Sequence, residues 1–442
     1  PAPAKCGRPS TTAMGAAPVA SAGGAASAVS GSAPLLSAAP AAPAPASPAN
    51  AAEAWTQRPR RRRRLGRRIL ACVGLQRGKE LPPPHPRAAE LVEQKRRAAP
   101  RRTRYWRLMT RALDGVPRRV AQQIRIDVPR SLSALPRPRG TWGWPEDSAV
   151  EALEETREAV LYRVLLTYEW RAMELLAQQQ SHTAASTEKQ PQRQQAAEEE
   201  VEEEAAPSYV QGCSLMAAMC LGFVGGREED GFWLFLHVLE DVLGADFLAR
   251  SPPLLGYHGD RVAAAALLAS EAPCLVTALG AQRLAEATSA LAARCLLSGF
   301  VGFLADEPLV ALWEELLLAR HSVCARFSML AWLVGLVRWL ENDLVALAER
   351  AEPEELVPLF FQHVQQAGLA LPDGWRPGVE ASEQRAQELR RISEEAAKNY
   401  QRNYEEQRDR EAHARRVSAS LDRAATSILG AVKIAEALSA TG

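Results

Sequence analysis

QQIRIDVPRS, residues 122–131, carries the reading of this chain. Ile124 and Asp127 stand three residues apart, so on a helix they share one face, and Ile124 anchors that face in a core. Pro129 lacks a backbone N–H and disfavours helix in the residue before it, which predicts a helix end near Asp127 or Val128. Arg130 then stands at a helix end, on backbone free to project it, with Asp127 near enough to orient it. A guanidinium presented this way pairs two oxygens at once through its planar fork, which suits phosphate.

Two further patterns flank this one. Downstream, SYVQGCSLMAAM at 208–219 sets Gln211 just ahead of an apolar helix, with Tyr209 packed beneath the loop. A glutamine amide offers both donors and an acceptor, so Gln211 is suited to orient a water. Upstream, Arg102 is followed four residues later by Trp106. Taken singly these signals are weak. An arginine near an aspartate is most often a surface ion pair, and a tryptophan four residues after an arginine is normally packing.

The surroundings are helical. Apolar residues recur at three- and four-residue spacing through Tyr105, Leu108, Met109 and Leu113, with a Gly-Val-Pro turn at 115–117. The same period predicts helices over about 148–176, 212–224, 229–247, 260–269, 283–304, 308–319, 325–348 and 354–367. No alternating strand pattern is present, so the expected class is all-α. Residues 177–206, which contain QQQSHTAASTEKQPQRQQ and then EEEVEEE, read as a disordered insertion. Residues 382–416 read as a long solvated helix with a thin apolar stripe of Leu389, Ile392, Ala396 and Tyr400, too weak for a coiled coil. Residues 417–439 regain an apolar face through Leu421, Ala425, Ile428 and Val432, available to the main domain or to a partner.

Composition bounds the rest. The 442 residues hold 53 Lys and Arg against 52 Asp and Glu, and the net charge of +1 hides local blocks. Residues 1–54 are rich in Ala, Ser and Pro and nearly free of acids. That composition overlaps with an organelle transit peptide, but it buries too little apolar surface to offset chain entropy and reads better as a disordered leader. Arg58, Arg60 to Arg64, Arg67 and Arg68 form a basic cluster, followed by a stiff spacer at Pro82, Pro83, Pro84 and Pro86. The cluster reads as a solvated linker or a nuclear-import-like run, or as a patch for an anionic membrane surface. Aromatic stacking platforms do not interleave with it, so nucleic acid is not expected. Seven cysteines, Cys6, Cys72, Cys213, Cys220, Cys274, Cys295 and Cys324, are odd in number and form no CxxC pair. They argue against a disulfide framework or a zinc module and for a reducing, intracellular compartment. Those from Cys213 onward lie in apolar surroundings, where free Cys acts as a small hydrophobe. The apolar run at 69–75 falls far short of the roughly 18 residues that cross a bilayer. The seven histidines are scattered with no neighbouring nucleophile pattern, which leaves a hydrolase reading unsupported. His237, inside an apolar helix, reads as a core or boundary residue.

Together and in this order, the three patterns resemble the TBC domain of Rab GTPase-activating proteins, whose motifs R-x-x-x-W, I-x-x-D-x-x-R and Y-x-Q are all complete here. The resemblance covers about residues 99–345. It includes LYRVLLTY at 161–168, EEDGFWLFLHVLED at 228–241, the stretch 254–279 with Asp260, and CLLSGFVGFLADEPLVALWEELL at 295–317, with Leu312, Trp313 and Glu314 where Ile-Trp-Asp is usual. It departs from the family in a short span between Trp106 and Ile124, in the insertion separating Tyr168 from Tyr209, and in Cys213 and Ser214 where Met and Asn are usual.

What the resemblance implies is a two-lobed all-α domain at 99–345, with a leader at 1–54, a basic and Pro-rich linker at 55–98, a helical extension at 346–381 and a charged C-terminal helical region at 382–442. It further implies that the chain is not itself an enzyme but a GTPase activator that supplies catalytic residues in trans. Arg130 and Gln211 would act in trans on a GTP-bound Rab-family GTPase, supported by Asp127, Tyr209, Ile124, Arg102 and Trp106. No cofactor or metal is expected on the chain, since GTP and Mg²⁺ belong to the partner. Vesicle trafficking and a cytoplasmic location, peripheral on endomembranes where Arg58–Arg68 meets lipid, follow from the same resemblance. The rival readings are a catalytically silent GTPase-binding scaffold and a helical membrane adaptor.

Overall fold

Helical periodicity becomes fourteen helices in the computed structural model, which describes residues 84–99, 104–136, 151–186, 209–250, 252–319, 322–379 and 382–440. They are α1 (Pro86–Ala98), α2 (Tyr105–Gly115), α3 (Arg118–Ser133), α4 (Glu151–Ser186), α5 (Cys213–Phe223), α6 (Glu228–His237), α7 (Leu255–Glu271), α8 (Pro273–Leu279), α9 (Ala281–Ser298), α10 (Asp306–Leu318), α11 (Ser322–Trp339), α12 (Glu341–Arg350), α13 (Leu356–Leu369) and α14 (Glu383–Ala440). No strand occurs among the described residues, so the class is all-α as the sequence predicts. None of the described helices is by itself long and apolar enough to cross a membrane.

The N-terminal helices assemble around α5. Every residue of α5 is buried, as a helix apolar all round requires, and α3, α4 and α6 all pack on it. Gly231 of α6 meets Leu221 so closely that an added Cβ would fall 2.3 Å from its Cδ2. The assembly buries one charged cluster in compensated form: Arg163 donates to both oxygens of Glu228, at 2.8 and 2.6 Å, and the Tyr105 hydroxyl donates to the same carboxylate. The C-terminal helices assemble around α7, against which α9, α11 and α14 pack. The two assemblies meet where α9 lies against α5, and where the π-helical turn Val238–Val242 lies against α10 and α11.

Several elements differ from the sequence expectation. The stretch assigned to the linker at 55–98 ends in α1, which packs on α6 through Ala88, Leu91 and Val92; Pro86 is tolerated because the first helical turn needs no N–H. Helix α4 runs on to Ser186, ten residues into the supposed insertion, since nothing before Pro191 breaks a helix. The leader 1–54, the arginine cluster Arg58–Arg68 and residues 187–208 lie outside the described residues. The start of α14 is docked, not solvated: Ala386, Leu389 and Ser393 are buried and the helix packs on α7, whereas residues 405–416 are almost all exposed, as a solvated helix requires. A polar clamp, described below, adds to a stripe too thin to dock by apolar burial alone. Cys213, Cys220 and Cys295 are buried, but Cys274 is exposed, because α8 turns Leu275 and Leu279 inward instead.

Candidate functional site

Arg130 projects from the last turn of α3, and the helix does not stop where Pro129 predicts. It runs through Pro129 to Ser133. The proline falls on the exposed side with Arg125 and Ile126, where a carbonyl deprived of its N–H partner can be hydrated. The Ser131 hydroxyl donates to the Asp127 carbonyl at 2.9 Å, closing the turn around it. Ile124 is fully buried and holds α3 to the core, and the Asp127 side chain is buried beside it. Asp127 accepts from the Gln123 amide at 3.2 Å through both oxygens and lies 4.0 Å from the Arg130 guanidinium. The Arg130 side chain itself is 72% exposed. The helix thus fixes the base of the side chain and leaves its charged end in solvent.

Gln211 is held by a turn in which the Cys213 N–H donates to the Val210 carbonyl at 3.1 Å. Gly212 follows with φ of +111°, and a Cβ there would fall 2.5 Å from the Leu297 carbonyl oxygen of α9. Only glycine satisfies both the dihedral and the approach. Gln211 is therefore locked one residue ahead of a fully buried helix, yet is itself exposed. Behind the turn, Arg250 donates to the buried Glu169 at 2.7 Å, next to Val210 and Cys213. Burial pushes the Glu169 carboxyl up, and Arg250 opposes the shift. Burial likewise pushes the Tyr209 hydroxyl far above its ordinary value. The Ser214 side chain works against that shift, and Cys213 and Asp127 add to it, so the phenol stays neutral.

These pieces surround one open groove of about 780 Å³. Asp127, Arg130 and Ser131 of α3, Tyr209, Gln211 and Gly212, Pro253 and Leu254, and Arg294 and Ser298 of α9 are among the residues that line it. Arg294 gave no signal in the sequence, where it is one more surface arginine on an amphipathic helix. Its guanidinium reaches to 4.0 Å from the position a Cβ on Gly302 would take, and Ala134 at the end of α3 lies 3.6 Å from that same position. Two arginines and one carboxylate thus line the groove, leaving it net positive. Trp106 does not reach it: its indole donates to Glu229 at 3.1 Å on the α2–α6 side. Arg102 lies outside the described residues. Among the described residues no three His, Cys, Asp or Glu side chains gather as a metal site.

No family model matches the chain, and no curated protein matches it. Among solved structures, the crystal structure of the Chlamydomonas flagellar RabGAP TBC domain is similar to it at 15% identity and a TM-score of 0.32, over 69% of this chain and 84% of that one. That similarity is too slight to carry any residue's role from one chain to the other. The site stands on its own residues and geometry.

Proposed function

We propose that this chain is a GTPase-activating protein for a Rab-family GTPase and that it works by lending Arg130 and Gln211 to the partner's nucleotide site. The observation that supports this is their convergence. Two exposed side chains of the right chemistry, from distant parts of the sequence, line one groove, each on rigidly buried backbone. A catalytic group offered in trans must be solvent-facing before the partner arrives and fixed at its base, and both meet that requirement.

In this reading the partner GTPase carries GTP and Mg²⁺ and hydrolyses slowly alone. Arg130 enters its site and neutralises charge developing on the oxygens between the β- and γ-phosphorus and on the γ-phosphoryl group. Such a finger is worth roughly 10³–10⁵ in rate. Gln211 orients the attacking water through its amide. Asp127 positions the Arg130 side chain, Tyr209 supports the glutamine turn, and Arg294 adds positive potential to the groove, which favours an acidic partner surface.

A panel of purified GTP-loaded Rab proteins, assayed for phosphate release with and without the full chain, tests the reading. The expected result is acceleration on at least one member that disappears with Arg130→Ala. Binding to a Rab without acceleration on any member would favour the silent scaffold instead.

A further inference from the structure

Outside the groove, α14 is fastened to α7 by a buried polar clamp. The Arg326 guanidinium donates to Asp260 through Nε at 2.7 Å and Nη2 at 2.8 Å, to Asp246 at 3.0 Å and to the Gly256 carbonyl at 3.0 Å. Ser393 of α14 completes the cluster, its hydroxyl donating to Asp260 Oδ1 at 2.8 Å. Ser393 is 6% exposed. It lies against bare backbone: a Cβ on Gly259 would fall 2.4 Å from the Ser393 carbonyl oxygen and 2.6 Å from its hydroxyl oxygen. Further along the interface, His258 stacks on Tyr400 with ring centres 3.9 Å apart.

The sequence leading into that serine is Arg390-Arg391-Ile392-Ser393. Both arginines are exposed, and Arg390 donates to Glu394 one turn on at 2.6 Å. Two guanidinium groups two and three residues before a serine are what a protein kinase with an acidic substrate groove can grip. We propose that Ser393 is a phosphorylation site for an arginine-directed protein kinase, and that phosphoryl transfer there releases α14 from α7.

The chemistry balances with a nucleoside triphosphate as donor. The Ser393 oxygen forms a bond to the γ-phosphorus, the bond from that phosphorus to the β–γ bridging oxygen breaks, and the hydroxyl proton passes to the kinase's carboxylate base, leaving the nucleoside diphosphate. The docked hydroxyl is covered, so transfer follows transient opening of α14. Once made, the phosphoserine cannot return. Ser393 borders a pocket of about 320 Å³, so charge and not space opposes its return. The surrounding charges, Asp246, Asp260 and Glu394 against Arg326, Arg390 and Lys398, balance before modification, and a phosphate adds about two negative charges. The serine's bond to Asp260 is also lost, because a phosphoserine oxygen has no proton to donate there.

The test uses the full chain with an arginine-directed kinase and MgATP, with site mapping by mass spectrometry and hydrogen exchange of the backbone. The expected result is modification at Ser393, absent in Ser393→Ala. Amides in the first half of α14 and along α7 then exchange at least about tenfold faster. Gly259→Ala, which wedges a methyl group into the same contact, speeds phosphorylation. Tyr400→Ala loosens the same helix and serves where Gly259→Ala does not fold. Complete modification with unchanged protection of α14 overturns the release, because Arg326, Arg390 and Lys398 are then holding the phosphate in place. Refusal of the loosened variants under conditions that modify a free peptide of residues 386–398 overturns the site, and refusal of the peptide overturns the kinase class.

Discussion

Arg130 at the groove and Arg326 under the C-terminal helix are both arginines beside an aspartate, and their surroundings could hardly differ more. Arg326 keeps 17% of its side chain exposed and spreads its donors over two carboxylates and a backbone carbonyl. Arg130 keeps 72% exposed, and the carboxylate nearest it, Asp127, is 4.0 Å away and already takes two bonds from Gln123. One guanidinium is satisfied by its own chain and fixes architecture. The other keeps its charged end in solvent. The partners of Arg326 lie 66 and 80 residues away, whereas Asp127 is three residues from Arg130.

The largest expected effect belongs to the satisfied arginine. Arg326→Ala leaves Asp260 buried without its cation, and breaking a buried pair costs about 3–5 kcal/mol, read as a shift in chemical denaturation. Arg130→Ala changes stability by no more than about 0.5 kcal/mol, as an exposed side chain should. If the two variants lose equal stability, the contrast between them collapses.

In activity the order reverses. Under the proposed function, Arg130→Ala and Arg130→Lys each lower Rab GTPase activation at least about a hundredfold, or about 2.7 kcal/mol of barrier. Lysine restores the charge but not the planar fork. Gln211→Ala follows, with a loss of about tenfold on a Rab that keeps its own switch glutamine and more on one that lacks it. Activation needing the Rab's glutamine but not Gln211 would reduce the pair to a single finger. Arg294→Ala is milder: it raises KM about fivefold with kcat nearly unchanged and flattens the dependence on salt, as loss of a peripheral steering charge does. A fall in kcat alone would move Arg294 into the chemistry.

What could be read from the sequence follows the range of the forces involved. The buried α5, the i, i+3 pair Ile124 and Asp127, and the placement of Gln211 ahead of an apolar helix are local, and periodicity exposes them. The helix end at Pro129 was misplaced because the cost of the missing hydrogen bond depends on whether the freed carbonyl meets solvent, and that depends on which way the helix faces. The docking of α14 was missed for a related reason. Its apolar stripe is thin, and much of the attachment runs through Ser393 to Asp260 and Arg326, a contact that no local pattern encodes. Arg294 escaped because it matters only by lining, with Arg130 and Gln211, a groove built from five separate stretches of the sequence. Trp106 was grouped with the site by its motif, yet it packs on Glu229, away from the groove.

The smallest effect concerns pH, and it again separates the two regions. In the groove, burial holds the Tyr209 hydroxyl neutral. The α7–α14 interface does contain a titrating group. Burial pushes the His258 imidazole below its ordinary value, and the nearby Arg261 pushes the same way. The unfolded chain therefore takes up this proton at a higher pH than the folded chain. Between the ordinary histidine value of about 6.5 and the lowered one, the unfolded state binds more protons, so stability falls as pH falls through that window. His237 on α6 is shifted the same way by burial and contributes a parallel slope. Thermal melting between pH 7.5 and 5.5 should show a declining Tm, and His258→Phe, which keeps a ring against Tyr400, should make the decline shallower without abolishing it. Faster exchange of α14 amides at the acid end, reduced in His258→Phe, would place the effect at this interface. An unaltered slope in the variant would instead leave His237 as its source.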